Sequence, residues 1–143
     1  MPLCLLTFID MSYDIFVQDI PKSANTIEEI PDNFTPQKIG SRREIISSIL
    51  EIVPEADFSD PTWGTIEGES FSIEVNLGED EILTSFAFHV NGDNTALTII
   101  SAILNHLDLR AFDLDGIFDP KRSSKNFKNW KEYRDFVINN SET

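Results

Sequence analysis

Apolar and polar positions alternate from Tyr13 to Gln18, with Tyr13, Ile15 and Val17 on one side and Asp14, Phe16 and Gln18 on the other. A period of two predicts a first strand. Pro21–Gly40 then carries three prolines, two asparagines and an acidic pair without a sustained period, and reads as one long loop. The period changes at Ser41. Ser41-Arg42-Arg43-Glu44 fits a capping box, and Ile45, Ile46, Ile49, Leu50 and Val53 follow as one apolar stripe, ended by Pro54. Three period-two segments come next: Trp63–Glu67, Ser70–Leu77 and Ile82–Val90, separated by turns at Gly68-Glu69 and Gly78–Glu81. In the second, Phe71, Ile73, Val75 and Leu77 are expected to face inward. In the third, Ile82, Thr84, Phe86, Phe88 and Val90 are expected to share one side, with Leu83, Ser85, Ala87 and His89 on the other. A helix over 94–107, with Leu97, Ile100, Leu104 and Leu107 on one face, follows the turn Asn91-Gly92-Asp93. Arg110–Leu114 reads as a last short strand, Lys121–Asn126 as a polar segment, and Trp130–Ile138 as a short C-terminal helix.

The order β-α-β-β-β-α-β-α predicts an α+β fold. Its expected form is an antiparallel sheet of about five strands with two main helices packed on one face. Strand order is open at this stage. A chain of 143 residues suits one domain, 1–143, with residues 1–10 as an accessory lead-in and 120–143 as a basic tail and helix. Either Met11 is the natural start or residues 1–10 are that accessory lead-in. Asn33-Phe34-Thr35 and Asn139-Asn140-Ser141 match a glycosylation sequon, as chance would supply.

Charge changes this picture more than any motif does. Residues 1–119 hold 22 acids against five bases, a net of −17, while 120–143 hold six bases against three acids, a net of +3. An acidic body repels phosphate backbones, so nucleic-acid binding through the main domain is not expected. A basic protein partner is, because opposite charge speeds encounter. No run approaches the roughly twenty apolar residues of a membrane helix, so no membrane association is expected. Cys4 is the only cysteine, which excludes an intramolecular disulfide and multi-cysteine zinc sites and fits a cytoplasmic location.

Candidate chemistry is sparse. His89, on an outward strand position, is expected beside Glu74 and Asn76, either as a general-base site or as an ordinary cross-strand polar cluster. His106 falls at a helix C-terminus, where the dipole favours it. Asp57, Asp60 and Trp63 lie in Asp57–Gly64, where Trp63 is expected to anchor its strand in the core, with an exposed recognition surface as the alternative. Asp113, Asp115 and Asp119 form a candidate metal site. The stretch Phe112–Asp119 resembles the first motif of haloacid-dehalogenase-like phosphatases, which would make Asp113 a nucleophile and Asp115 an acid/base group. Ile117 replaces that motif's threonine, however, and only 24 residues follow Asp119, too few for the remaining motifs. An EF-hand is excluded too, since position twelve counted from Asp113 is Ser124 instead of glutamate. The lysines and arginines of the tail interleave with Phe127, Trp130 and Tyr133, as in a partner-binding segment or in a helix packing its aromatics on the core.

At Met11–Asp19, Ala56–Gly64, Phe71–Gly78 and Ser85–Val90 the chain resembles a family of small uncharacterised bacterial proteins, over about Met11–Asp119. That resemblance implies a bacterial, stand-alone domain and supplies no catalytic residues or cofactor. In size, charge and architecture the chain is also similar to the immunity proteins that neutralise bacterial toxins. The expectation is therefore a non-catalytic protein-binding domain, immunity-like, without a cofactor. The alternative is a small hydrolase or metal-dependent enzyme using the acidic and histidine residues, and self-association is a third possibility.

Overall fold

The computed structural model describes residues 12–141. The lead-in 1–10, with Cys4, and Met11 lie outside the described residues, as do the side chains of Trp130, Tyr133, Arg134 and Val137. The fold is α+β, built on a five-stranded antiparallel sheet. Its strands are β1 (Tyr13–Gln18), β3 (Trp63–Glu67), β4 (Phe71–Asn76), β6 (Ser85–Gly92) and β7 (Arg110–Phe112), in the spatial order β3-β4-β6-β1-β7. A separate ribbon pairs β2 (Gly40–Ser41) with β5 (Ile82–Leu83). The α-helices are α1 (Arg42–Ile52), α2 (Thr95–Leu107) and α3 (Pro120–Ser141), and the long loop holds one 3-10 turn, Ile27–Glu29.

Alternation decides which face of the sheet is dry. Tyr13, Ile15 and Val17 of β1 are buried beside their register partners Val90, Phe88 and Phe86 of β6, and Ile73 and Val75 of β4 continue the same layer. Ile45 and Ile49 of α1 and Ala96, Leu97, Ile100, Ile103 and Leu104 of α2 close over it. Each buried Val, Ile, Leu or Phe side chain contributes about 1.5–3 kcal/mol before entropy is charged against it. β6 and β7 are each antiparallel to β1, hence parallel to one another, and α2 is the crossover between them. That connection commits α2 to the inner face. α2 touches both α1 and α3, and α3 adds Phe127, fully buried, its ring centroid 5.2 Å from that of Tyr13.

Local signals explain the ends of these elements. Ser41 caps α1 as a capping box: its hydroxyl accepts from the Glu44 amide at 3.1 Å, and the Glu44 carboxylate accepts from the Ser41 amide at 3.3 Å. α2 ends where Asp108 takes a left-handed φ of 53°. The long loop is tied back: Arg110 donates to the carbonyls of Pro21 and Ala24, and the Gln37 amide donates to Asp19.

Three local expectations are corrected. Ile82–Val90 is two strands, because Ile82–Leu83 pairs with Gly40–Ser41 while Ser85–Gly92 joins the main sheet. The alternation slips at Thr84, so Leu83 is buried and Ile82 is exposed. Trp63 does not anchor the core: Gly64 faces inward instead, and a Cβ there would collide with the Phe58 ring, so Phe58 fills the space. Finally, α3 takes in Lys121–Asn126, which the sequence pattern leaves as a polar segment.

Candidate functional site

The sheet's other face is the more exposed one, although at its β7 edge Phe112 packs against Ile20, Ala24 and Ile117. Register places its side chains in rows that cross the strands. One row runs Thr65, Glu74, His89, Asp14, and the next runs Trp63, Asn76, Ala87, Phe16, Phe112. Beyond the second lie Ser85, Gln18 and Arg110.

The first row centres on His89, between two carboxylate-bearing strands. Its Nδ1 lies 2.7 Å from Asp14 Oδ1, which also accepts the Ser12 hydroxyl at 2.6 Å. A carboxylate only accepts, so Nδ1 is the donor in this contact, and in the neutral tautomer that makes it, Nε2 is left as an acceptor. Glu74 is the direct cross-strand partner on the opposite side and is exposed. The Trp63 indole stacks on the imidazole, with centroids 5.5 Å apart and planes 20° from parallel.

In the second row Trp63 is 40% and Phe16 49% exposed, large aromatic surfaces left in water. Beside Phe16 the face dips into a groove of about 570 Å³, lined among others by Phe16, Gln18, Asn76, Ser85, Ala87 and Phe112. None of its lining residues is charged.

Four of the six residues singled out for binding from sequence thus meet here: Trp63, Glu74, Asn76 and His89. Asp57 and Asp60 border the face. Asp57 exchanges backbone hydrogen bonds with Thr65 of the edge strand β3, at 2.8 and 2.9 Å. Its carboxylate accepts from the amide and hydroxyl of Ser59, and Asp60 does the same with Thr62. These bonds hold both carboxyls below the usual aspartate range. Sequence reasoning missed Asp14, Phe16 and Phe112 as site members. The outward positions of β1 named the first two, but only the strand order puts them beside His89.

Asp113 and Asp119 meet on Ser123 and Arg122 in the first turn of α3, but with Asp115 they form no cluster placed to hold a metal ion. The Asp113 side chain is fully buried and accepts from the amides of Asp115 and Gly116, from Ser123 and from Arg122. Asp119 accepts from the amides of Lys121 and Arg122 at the start of α3. Among the described residues no group of three or more His, Cys, Asp or Glu is placed to hold a metal ion. His106 bonds Glu51 of α1 at 2.6 Å and ties the two helices together. No described helix is long and apolar enough to cross a membrane.

Neither the protein-family models, nor the curated proteins, nor the solved structures contain a match to this chain.

Proposed function

We propose that this chain is a non-catalytic binding protein whose open sheet face receives a basic protein, in the manner of an immunity-type inhibitor of a basic toxin or enzyme. The observation that carries this reading is the exposed Phe16–Trp63 row lying directly beside the Asp14–His89–Glu74 row. Aromatic surface supplies affinity once water is expelled, and flanking carboxylates select and steer a cationic partner. The acidic remainder of the body, −17 over residues 1–119, extends that steering field. The bacterial family resemblance and the cytoplasmic setting belong to the same proposal.

The test is a pull-down from the native host at low and high salt, repeated with Asp14→Asn/Glu74→Gln. A basic protein is expected in the eluate at low salt, with association to the purified partner slowed about tenfold in the double variant. Recovery of the same partner at equal rate from both proteins would end the proposal.

A second reading rests on one geometric fact. Asp14 lies against Nδ1 of His89, so that in the neutral ring Nε2 would be the acceptor a general base requires. A small hydrolase using His89 with Glu74 would lose turnover in His89→Gln at unchanged stability. The binding protein would lose only affinity.

A further inference from the structure

The neutral groove and the acid row are neighbours with opposite chemical preferences. Every residue lining the groove is uncharged, in a chain where 25% of residues are charged. Phe16, Phe112 and Ala87 give it an apolar floor, and Gln18, Asn76 and Ser85 give it neutral hydrogen-bonding groups. A cation seated there would shed water without meeting a counter-charge. A large apolar or aromatic side chain would gain a desolvated pocket, the setting in which binding energy concentrates. Two residues along the same strands stand Asp14 and Glu74. The step from Phe16 to Asp14 is therefore about 7 Å.

We infer, resting on the binding role proposed above, that this groove is the anchor pocket of the face. It takes one aromatic or large aliphatic side chain of the basic partner, while a Lys or Arg about 7 Å away lies over Asp14 and Glu74. The partner's signature is thus an apolar anchor and a cation on one side of its chain. In an extended segment they are two residues apart, and in a helix three or four. Charge argues for this occupant over the others. A second copy would bring another −17 body against this one, and a nucleic acid would bring phosphates against Asp14 and Glu74.

The probe is a displayed library of random twelve-residue peptides selected on the full chain at low salt. The leading peptide is then synthesised and its kinetics measured against variants. Enriched peptides are expected to pair an apolar anchor with Lys or Arg at the spacings above. Phe16→Ser should raise the off-rate about tenfold with little change in on-rate, whereas Glu74→Gln should lower the on-rate and flatten its salt dependence. Phe16 is half exposed, so its loss should spare the fold. Ser85→Tyr, from an exposed rim position, fills the groove without touching the core and should reproduce the off-rate effect. Peptides that depend on Glu74 but bind Phe16→Ser and Ser85→Tyr like the parent would overturn the anchor pocket and leave the binding role standing. Enriched peptides without basic residues, indifferent to Glu74→Gln, would overturn the binding role itself. No enrichment at all would count against both.

Discussion

Asp113 is a buried carboxylate that accepts from two backbone amides, a serine hydroxyl and the Arg122 guanidinium, whose side chain is 37% exposed. It joins the turn after β7 to the first turn of α3. Replacing it with alanine strands the two amides and the serine hydroxyl, while Arg122 keeps the Ile117 carbonyl as a partner. Asp113→Ala should cost roughly 2–3 kcal/mol, the scale for leaving buried donors unpaired, with the partly exposed Arg122 recovering water, read from urea denaturation. A loss under 1 kcal/mol would remove its role as a latch. Beside it, burial and then the negative charge of Asp113 push the Tyr13 hydroxyl well above its ordinary range near 10. A group raised in the folded state contributes stability below its unfolded pKa and loses it as pH rises through the folded value. Tyr13 should therefore stay protonated in the fold above pH 10, its ionisation coinciding with alkaline unfolding. Tyr13→Phe should shift that unfolding midpoint upward in pH. A reversible tyrosinate signal from Tyr13 in the native state would refute this. Asp113, Asp115 and Asp119, expected from their spacing as candidate metal ligands, form no group placed to hold an ion among the described residues, for a reason visible in the turn. Asp-x-Asp-Gly spacing suits a turn that satisfies its own amides as well as it suits a cation.

Elements with local causes could be read from the sequence. α1 is an example, since Ser41 and Glu44 close the capping box that their spacing predicts. Ser41→Ala should cost about 1 kcal/mol in thermal or urea unfolding, and no measurable loss would mean that packing of Ile45 and Ile49 alone sets the helix start. The strands' inner faces were equally readable, because alternation is a property of neighbours in sequence. Strand order was not. β1 lies between β6 and β7, partners more than sixty residues away, and no local pattern encodes that choice. The break at Thr84 belongs to the same class, since it exists only because Gly40–Ser41 competes for Ile82–Leu83. The candidate site inherits this limit. His89, Glu74 and Asn76 sit on β4 and β6, which adjoin, so their meeting was foreseeable. Asp14, Phe16 and Phe112 reach the same face only through β1 and β7.

At the scale of the whole molecule, one property acts on folding and on binding with opposite signs. A net charge of −14 on 143 residues opposes compaction through self-repulsion, and the −17 body concentrates that repulsion away from the basic tail. Added salt screens exposed charges beyond about 10 Å at 0.1 M, so it should relieve the repulsion and raise the melting temperature. The gain expected between 0.02 and 0.5 M sodium chloride is a few degrees, equivalent to about 1 kcal/mol for a domain of this size. The same salt weakens steering of a cationic partner and should slow association with it. The pair of measurements is diagnostic because no single artefact produces both trends. Salt-induced unfolding would lower stability and binding together, whereas screening raises the one and slows the other. A melting temperature that falls with salt would mean that local pairs, such as Lys22 with Asp108 at 2.8 Å, outweigh the global repulsion. The acidic body would then be held together by its few bases, and its excess charge would no longer need a partner to explain it.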